Sequence, residues 1–296
     1  MTLSREALAV DAGAIVPAGK GRTIFVLPWL GRTLVGTTDN DYDGDLEHVP
    51  PSAEDVGYLL SACNDFFGSS LGQEDVTGAY AGVRPLISTS DPKKSVDISR
   101  RAELYETSSG LVTITGGKLT TWRRMAKLAV DRIVEREGRD ALCRTDEIPL
   151  GMPEDPGALP EVDGVDPESR AHLAARYGHA AGEVMEMARS PELAARITPE
   201  LPDLVAEAAF AARREQARSV ADALIRRTRL GLLDARTLCA DAADGPERVA
   251  RAMAGELDWD EARVQAELDD WRQVARAEGL VPGAGPPEGE AERRAA

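Results

Sequence analysis

The chain is poor in positive charge, in histidine and cysteine, and in long apolar runs. Its 35 Lys and Arg face 51 Asp and Glu, for a formal net charge of −16. A surface that acidic repels phosphate backbones, which excludes a general nucleic-acid binder. No apolar stretch reaches the roughly 18 residues that a membrane span needs. Residues Met1 to Ala14 carry neither a basic segment nor a long apolar one, so no secretory signal is expected and the cytoplasm is the expected compartment. Cys63, Cys143 and Cys239 are too few and too scattered for a disulfide framework or a zinc site. His48, His172 and His179 have no Ser or Cys nucleophile motif around them, so no catalytic triad can be assembled. Gly-x-Gly-x-x-Gly is absent, so the chain has no dinucleotide fingerprint of its own. There is no internal repeat. What is present, 43% apolar and 29% charged residues over 296 positions, describes a globular protein of about two domains.

The two halves differ. Residues 1–144 hold 17 basic and 20 acidic side chains, and residues 145–296 hold 18 and 31. The first half alternates β-branched runs with Gly and Asp turns; the second is rich in Ala, Glu and Arg at helical spacing. A stretch rich in Pro, Gly and Asp from Asp146 to Asp166 separates them. The expected class is α+β, a mixed or antiparallel sheet over 1–144 followed by an all-α domain over 145–278. A tail over 279–296 has too few apolar residues to offset its ordering entropy, so it is expected to be disordered.

Within the first half, Thr23–Pro28 and Arg32–Thr37 read as a hairpin about Trp29-Leu30-Gly31. Ser52, with Asp55 three residues on, reads as the cap of a helix burying Val56, Leu59, Leu60, Cys63, Phe66 and Phe67. Strands are expected at Val76–Ile87, Ser95–Ser99, Ala102–Glu106 and Leu111–Thr115, then a helix over roughly Thr120–Glu137. In the second half, Asp166-Pro167 and Ser190-Pro191 mark helix starts. Longer helices are expected at about Leu204–Arg218, Val220–Arg227, Asp244–Glu256 and Asp260–Glu278.

Three constellations bear on chemistry. The acidic loop Asp39–Asp45 opens like a calcium loop, but its twelfth position is Pro50 rather than a bidentate Glu, and a solvated turn is the better reading. The junction Gly116-Gly117-Lys118-Leu119-Thr120-Thr121 joins a strand to a helix. Glycines let a backbone approach a ligand closely, and the helix start offers amides, partial positive charge, Lys118 and two hydroxyls. It reads as a seat for an anion, although a plain turn remains the alternative. Arg84 and Arg100 each end a strand, where a guanidinium can grip phosphate or carboxylate, or simply face solvent. In the acidic half, Arg226-Arg227-Thr228-Arg229-Leu230-Gly231 is a basic knot, and pairing with nearby carboxylates is the expected use of its charge.

The strings Phe25-Val26-Leu27-Pro28-Trp29, Gly36-Thr37-Thr38-Asp39, Tyr80-Ala81-Gly82-Val83-Arg84-Pro85-Leu86 and Gly116-Gly117-Lys118-Leu119-Thr120-Thr121 occur in this order. Together with the basic knot they resemble the FAD-dependent, respiratory-type glycerol-3-phosphate dehydrogenases over about residues 20–275. The resemblance implies oxidation of sn-glycerol 3-phosphate to dihydroxyacetone phosphate, with hydride passing to flavin N5 and electrons to membrane quinone. It assigns Arg84, Arg100 and Lys118 to the substrate phosphate. It sets Gly116, Gly117, Lys118, Leu119, Thr120 and Thr121 beside FAD, where the helix dipole would stabilise negative charge on the reduced flavin. Trp122 stands where that family has Tyr, and Arg101 where it has Asp.

The family's members are about twice as long. Their N-terminal half, which supplies the pyrophosphate clamp and the catalytic histidine, has no counterpart here, so no catalytic base is assigned. The expectation is a C-terminal half that binds FAD poorly alone and is completed by another chain or works as a homodimer. Contact with the inner face of the plasma membrane is implied by resemblance only. Two rivals stand beside this reading: a non-catalytic phosphometabolite-binding or assembly module, and an oxygen-using glycerophosphate oxidase.

Overall fold

The structure, a computed structural model, describes residues 1–19, 21–84 and 102–283. The chain forms two compact units, Met1–Gly82 with Pro153–Ala296, and Val83–Met152. These units cut across the change in sequence texture near residue 144, because the first sheet packs into the same unit as the helices.

In the larger unit, β1 (Thr2–Leu3), β2 (Ala14–Pro17), β3 (Thr23–Trp29), β4 (Arg32–Gly36) and β5 (Val76–Gly78) form one antiparallel sheet in the order β2-β3-β4-β1-β5. The expected hairpin is there, and Leu30 and Gly31 turn it at φ 47° and 76° with Trp29 opposite Arg32. Strand alternation sorts β3: Ile24 and Val26 are buried, whereas Phe25 and Leu27 are 48% and 37% exposed. The buried face packs with Val56, Leu59, Leu60 and Cys63 of α1 (Ala53–Phe67). Ser52 Oγ caps α1 by accepting from Asp55 N at 3.0 Å, and the hydroxyl donates to the Asp55 carboxylate at 2.7 Å. Of the last two residues of the expected stripe, Phe67 is half-buried against this core, whereas Phe66 is 51% exposed.

The long strand expected over Val76–Ile87 is confined to Val76–Gly78 among the described residues. Ala79 instead donates its amide to Leu280 O at 2.9 Å, which takes the chain out of the sheet. Residues 85–87 and Ser95–Ser99 lie outside the described residues.

The helices of this unit are α3 (Pro167–Tyr177), α4 (Ala181–Met187), α5 (Pro191–Ala194), α6 (Val205–Arg214), α7 (Leu230–Leu233), α8 (Ala235–Leu238), α9 (Gly245–Leu257) and α10 (Glu261–Ala277), with a π turn at Asp222–Arg227. Asp166 caps α3 by accepting from Ser169 N. Ser190 sits at the start of α5 but gives its hydroxyl to Glu192 rather than to the helix amides. Every residue of α6 from Val205 to Ala212 is buried, which its alanines permit by letting neighbouring helices approach closely. Three links fasten sheet to helices: Thr2 Oγ1 donates to Leu232 O, Arg32 Nε to Leu233 O, and Arg236 Nε to Val76 O. The expectation of a disordered tail from residue 279 does not hold for its first described residues. Leu280 is only 1% exposed and belongs to the core, because its apolar side chain closes the end of α10. Residues 284–296 lie outside the described residues.

The smaller unit is a hairpin of β6 (Ala102–Glu106) and β7 (Val112–Gly116), followed by one turn of 3-10 helix at Leu119–Thr121 and α2 (Trp122–Arg136). Arg132 Nε donates to Glu106 at 2.6 Å and Arg136 Nη1 to Gly110 O at 2.7 Å, fastening α2 to the hairpin. No residue of α2 is buried, so within this unit its apolar residues Leu128 and Ile133 stay open to solvent.

Candidate functional site

The strand-to-helix junction is built as the glycines suggest. Gly116 and Gly117 lie at φ 73° and 76°, a region that a side chain strains to adopt. They end β7 and turn the backbone into the 3-10 turn. Thr121 closes that turn: its amide and its hydroxyl both donate to Lys118 O at 2.9 Å, and its Oγ1 accepts from Lys118 N at 3.1 Å. The Thr121 hydroxyl is therefore spent on the turn, not held ready for a ligand. The amides of Leu119 and Thr120 have no acceptor among the described residues. Lys118, Leu119 and Thr120 are all exposed.

Beyond the turn, the first turn of α2 contains no acid and carries Arg123 and Arg124. The Arg123 guanidinium lies 4.6 Å over the Trp122 ring. Free amides, a helix start and cations of one sign make this junction a place where negative charge is stabilised. Arg84 is exposed in the coil at the start of the same unit. Arg100 and Arg101 lie outside the described residues.

A second cluster escaped sequence reasoning. Arg176 on α3 is nearly buried, and its Nη1 donates to Glu207 Oε2 at 2.9 Å and to Asp203. Its Nη2 donates to Thr228 O. His172 Nε2 stands 3.5 Å from each of the two carboxylates, and the Tyr177 hydroxyl donates to Glu207 at 2.9 Å. Burial alone would lower the His172 pKa, but Asp203 and Glu207 outweigh it and push the value up to about 9. His172, Asp203 and Glu207 have the spacing of a metal triad, yet the Arg176 guanidinium already occupies the position between the carboxylates. Two spacings of four residues, His172 with Arg176 and Asp203 with Glu207, were the available signal.

Other expectations resolve plainly. In the loop Asp39–Asp45, Asn40 Nδ2 donates to Asp55, and the Tyr42 hydroxyl donates to Asp45 O, in keeping with a solvated turn. Of the basic knot, Arg226 pairs with Asp222 at 3.2 Å and Arg227 donates to Glu215 O. His48 Nδ1 lies 2.9 Å from Glu278, tying this loop to the end of α10.

Comparison with known proteins sets the class first. Residues 3–132 match the family profile of the FAD dependent oxidoreductases. Residues 111–264 match the C-terminal domain of alpha-glycerophosphate oxidase, and the chain belongs to that family of FAD-dependent glycerol-3-phosphate dehydrogenases and oxidases. Glycerol-3-phosphate dehydrogenase 1 of Mycobacterium tuberculosis is 39% identical over 225 residues, covering 74% of this chain and 43% of the relative. A mitochondrial glycerol-3-phosphate dehydrogenase of Arabidopsis thaliana is 34% identical over 279 residues, covering 86% of this chain and 43% of the relative. Among solved structures, glycerol-3-phosphate dehydrogenase from Bacillus halodurans complexed with FAD is similar at a TM-score of 0.65 and 25% identity, over 97% of this chain and 57% of that one. The chain thus spans less than half the length of the curated relatives it matches. No helix among the described residues is long and apolar enough to cross a membrane.

The residues present fit part of a flavin dinucleotide. The free amides of Leu119 and Thr120, with the two glycines before them, suit the oxygen- and nitrogen-rich edge of a flavin ring. No glycine-rich pyrophosphate loop occurs in the sequence to hold the adenosine diphosphate end.

Proposed function

We propose that this chain supplies the substrate-contacting sheet, residues 1–144, and the helical domain, residues 145–278, of an FAD-dependent protein. That protein oxidises sn-glycerol 3-phosphate to dihydroxyacetone phosphate and passes electrons to quinone. The observation that carries the proposal is the junction Gly116–Thr121: two left-handed glycines, open amides and exposed Lys118 at the head of a helix whose first turn is basic. The names of the relatives, among them a FAD complex, support the same reading.

In this assignment Lys118, Arg84 and Arg100 hold the substrate phosphate through charge-assisted hydrogen bonds, which are about twice as strong as neutral ones. Gly116 and Gly117 keep the backbone slim enough to lie against the ring. The amides of Leu119 and Thr120 face its electron-rich edge, and Thr121 holds the turn that aims them. When bound, FAD supplies the two-electron acceptor. The catalytic base and the dinucleotide clamp come from polypeptide outside this sequence, as a second chain or as the remainder of a longer one. Contact with a membrane surface, which quinone reduction requires, belongs to the same proposal.

The test is thermal denaturation of the chain with glycerol 3-phosphate and with FAD, together with the visible spectrum after unbound FAD is removed. Glycerol 3-phosphate should raise the midpoint in the wild type and not in Lys118→Glu, while FAD should bind weakly and wash away. Absence of any response to either ligand would sink the proposal. A second reading, reduction of oxygen rather than quinone, is favoured by the match to alpha-glycerophosphate oxidase. Peroxide yield in the completed enzyme separates the two.

A further inference from the structure

A cavity of about 560 Å³ opens between the segment 236–243, the start of α9 and the C-terminal half of α10. That volume lies within the range of small-molecule sites. Its floor is apolar: Leu238, Trp271 and Ala275 are buried, and Leu268 and Val281 are half-buried beside them. One stripe of α10 builds most of one wall, since positions 268, 271, 272, 275 and 276 recur at helical spacing on a single face, and Gly279 follows just past the helix end.

The rim carries charge of a sign scarce in this half of the protein. Arg236, Arg272 and Arg276 line it, against Asp241 and Glu247. Their existing partners decide the balance. Glu247 is paired with Arg251 at 2.9 Å, and Arg272 with Asp269 at 2.9 Å. Arg236 spends its donors on two backbone carbonyls, Val76 O and Gln73 O, which leave its charge unneutralised. The Arg276 guanidinium has no hydrogen-bond or ion-pair partner among the described residues. Two uncompensated guanidinium charges therefore stand against the one carboxylate of Asp241, over an apolar floor.

We propose that this cavity binds an amphipathic organic anion, a carboxylate or phosphate ester whose apolar body rests on half-buried Leu268 and Val281, above the buried Leu238, Trp271 and Ala275, and whose charge is taken by Arg276. Arg236 contributes its field without leaving its backbone partners. Neither half of the site suffices alone. The rim without the floor is an exposed cation pair with little affinity, and the floor without the rim has no preference among apolar solutes. The site stands on residues of the helical half and is independent of the function proposed for the junction.

The test uses the whole chain and two dyes of similar aromatic body: 8-anilinonaphthalene-1-sulfonate, which is anionic, and N-phenyl-1-naphthylamine, which is neutral. The sulfonate should bind saturably, and Arg276→Glu should weaken it by roughly tenfold or more, as expected for loss of one charge-assisted bond. Arg276→Lys should restore most of the affinity, and the neutral dye should change less than about twofold. Bound sulfonate should also slow maleimide labelling of Cys239, which lines the same cavity, and leave Cys143 unaffected.

Octanoate should displace the sulfonate, whereas inorganic phosphate at the same concentration should not. Equal affinity of wild type and Arg276→Glu for the sulfonate would overturn the proposal, because the dye would then be bound elsewhere. Displacement by phosphate but not by octanoate would overturn the amphipathic half of it. Arg276 is exposed on α10, so its variants are expected to fold, with the thermal midpoint as the check.

Discussion

Arg176 and Glu207 meet at 2.9 Å across 31 positions of sequence, with the carboxylate fully buried and Asp203 on the same guanidinium. The pair fixes α3 against α6. Arg176→Met would leave two buried carboxylates with His172 as their one remaining cation. Breaking a buried charge pair in this way costs about 3–5 kcal/mol. Urea denaturation should show a loss of that order, and a loss below about 1 kcal/mol would mean that water reaches the cluster.

The same cluster predicts a pH dependence. Asp203 and Glu207 face the His172 ring, and Arg176 opposes its charge. The folded pKa, about 9, lies above the ordinary 6.5. The stabilisation is therefore fully present below about pH 6.5 and is lost as pH rises through 9. Denaturation midpoints should fall between pH 7 and 10, and His172→Gln should flatten that slope. An unchanged slope would show that another group titrates there.

Cys63 lies in the α1 core with no exposure, and burial pushes its thiol up to about 11. Native protein should leave it unmodified by alkylating reagents at neutral pH, as peptide mapping would reveal. Cys63→Ser sets a hydroxyl among Val56, Leu59 and Leu60 and should cost about 1–3 kcal/mol.

Gly117→Ala tests the junction. The residue sits at φ 76°, and an added Cβ would meet Met125 Sδ at 2.4 Å. The Met125 side chain is flexible and can yield, so the backbone conformation supplies most of the penalty, about 1–2 kcal/mol. Hydrogen exchange should quicken at Lys118–Trp122 and not in the larger unit. Faster exchange throughout would mean that the two units unfold together.

Arg32 links sheet to helices. It is 4% exposed, donates to Leu233 O and lies 2.9 Å from Glu200. Arg32→Leu should cost about 3 kcal/mol by leaving buried Asp234 with the Thr237 hydroxyl but without its ion-pair partner. Thermal denaturation of the variant should broaden as the sheet and helices lose coupling, and a sharp transition near the wild-type midpoint would refute this.

Short-range chemistry made much of the fold legible beforehand. The hairpin at Leu30-Gly31 and the Ser52 and Asp166 caps each depend on neighbours within a few positions, and the buried side of α1 that holds Cys63 followed from helical spacing. The strand expected after Val76 failed because a distant partner, Leu280 O, takes the Ala79 amide. At the end of α1, Phe66 misled because it continues the helical spacing yet is exposed. At the junction, the glycine turn from strand into helix could be read from six consecutive residues. That Thr121 spends its hydroxyl on Lys118 O could not, since a hydroxyl finds its partner only once the turn has closed.

Periodicity, caps and glycine-bearing turns act over a few residues, so the fold class and the strand-to-helix turn were fixed locally, while four ordered strings carried the family resemblance. Tertiary structure alone decided where the scarce positive charges went. Arg176 was claimed by two carboxylates and Arg236 by backbone carbonyls, and Arg276 was left facing a cavity. Charges act through space across chain distances that sequence order does not encode, so only the packed chain shows which arginines are spent and which remain to meet a ligand.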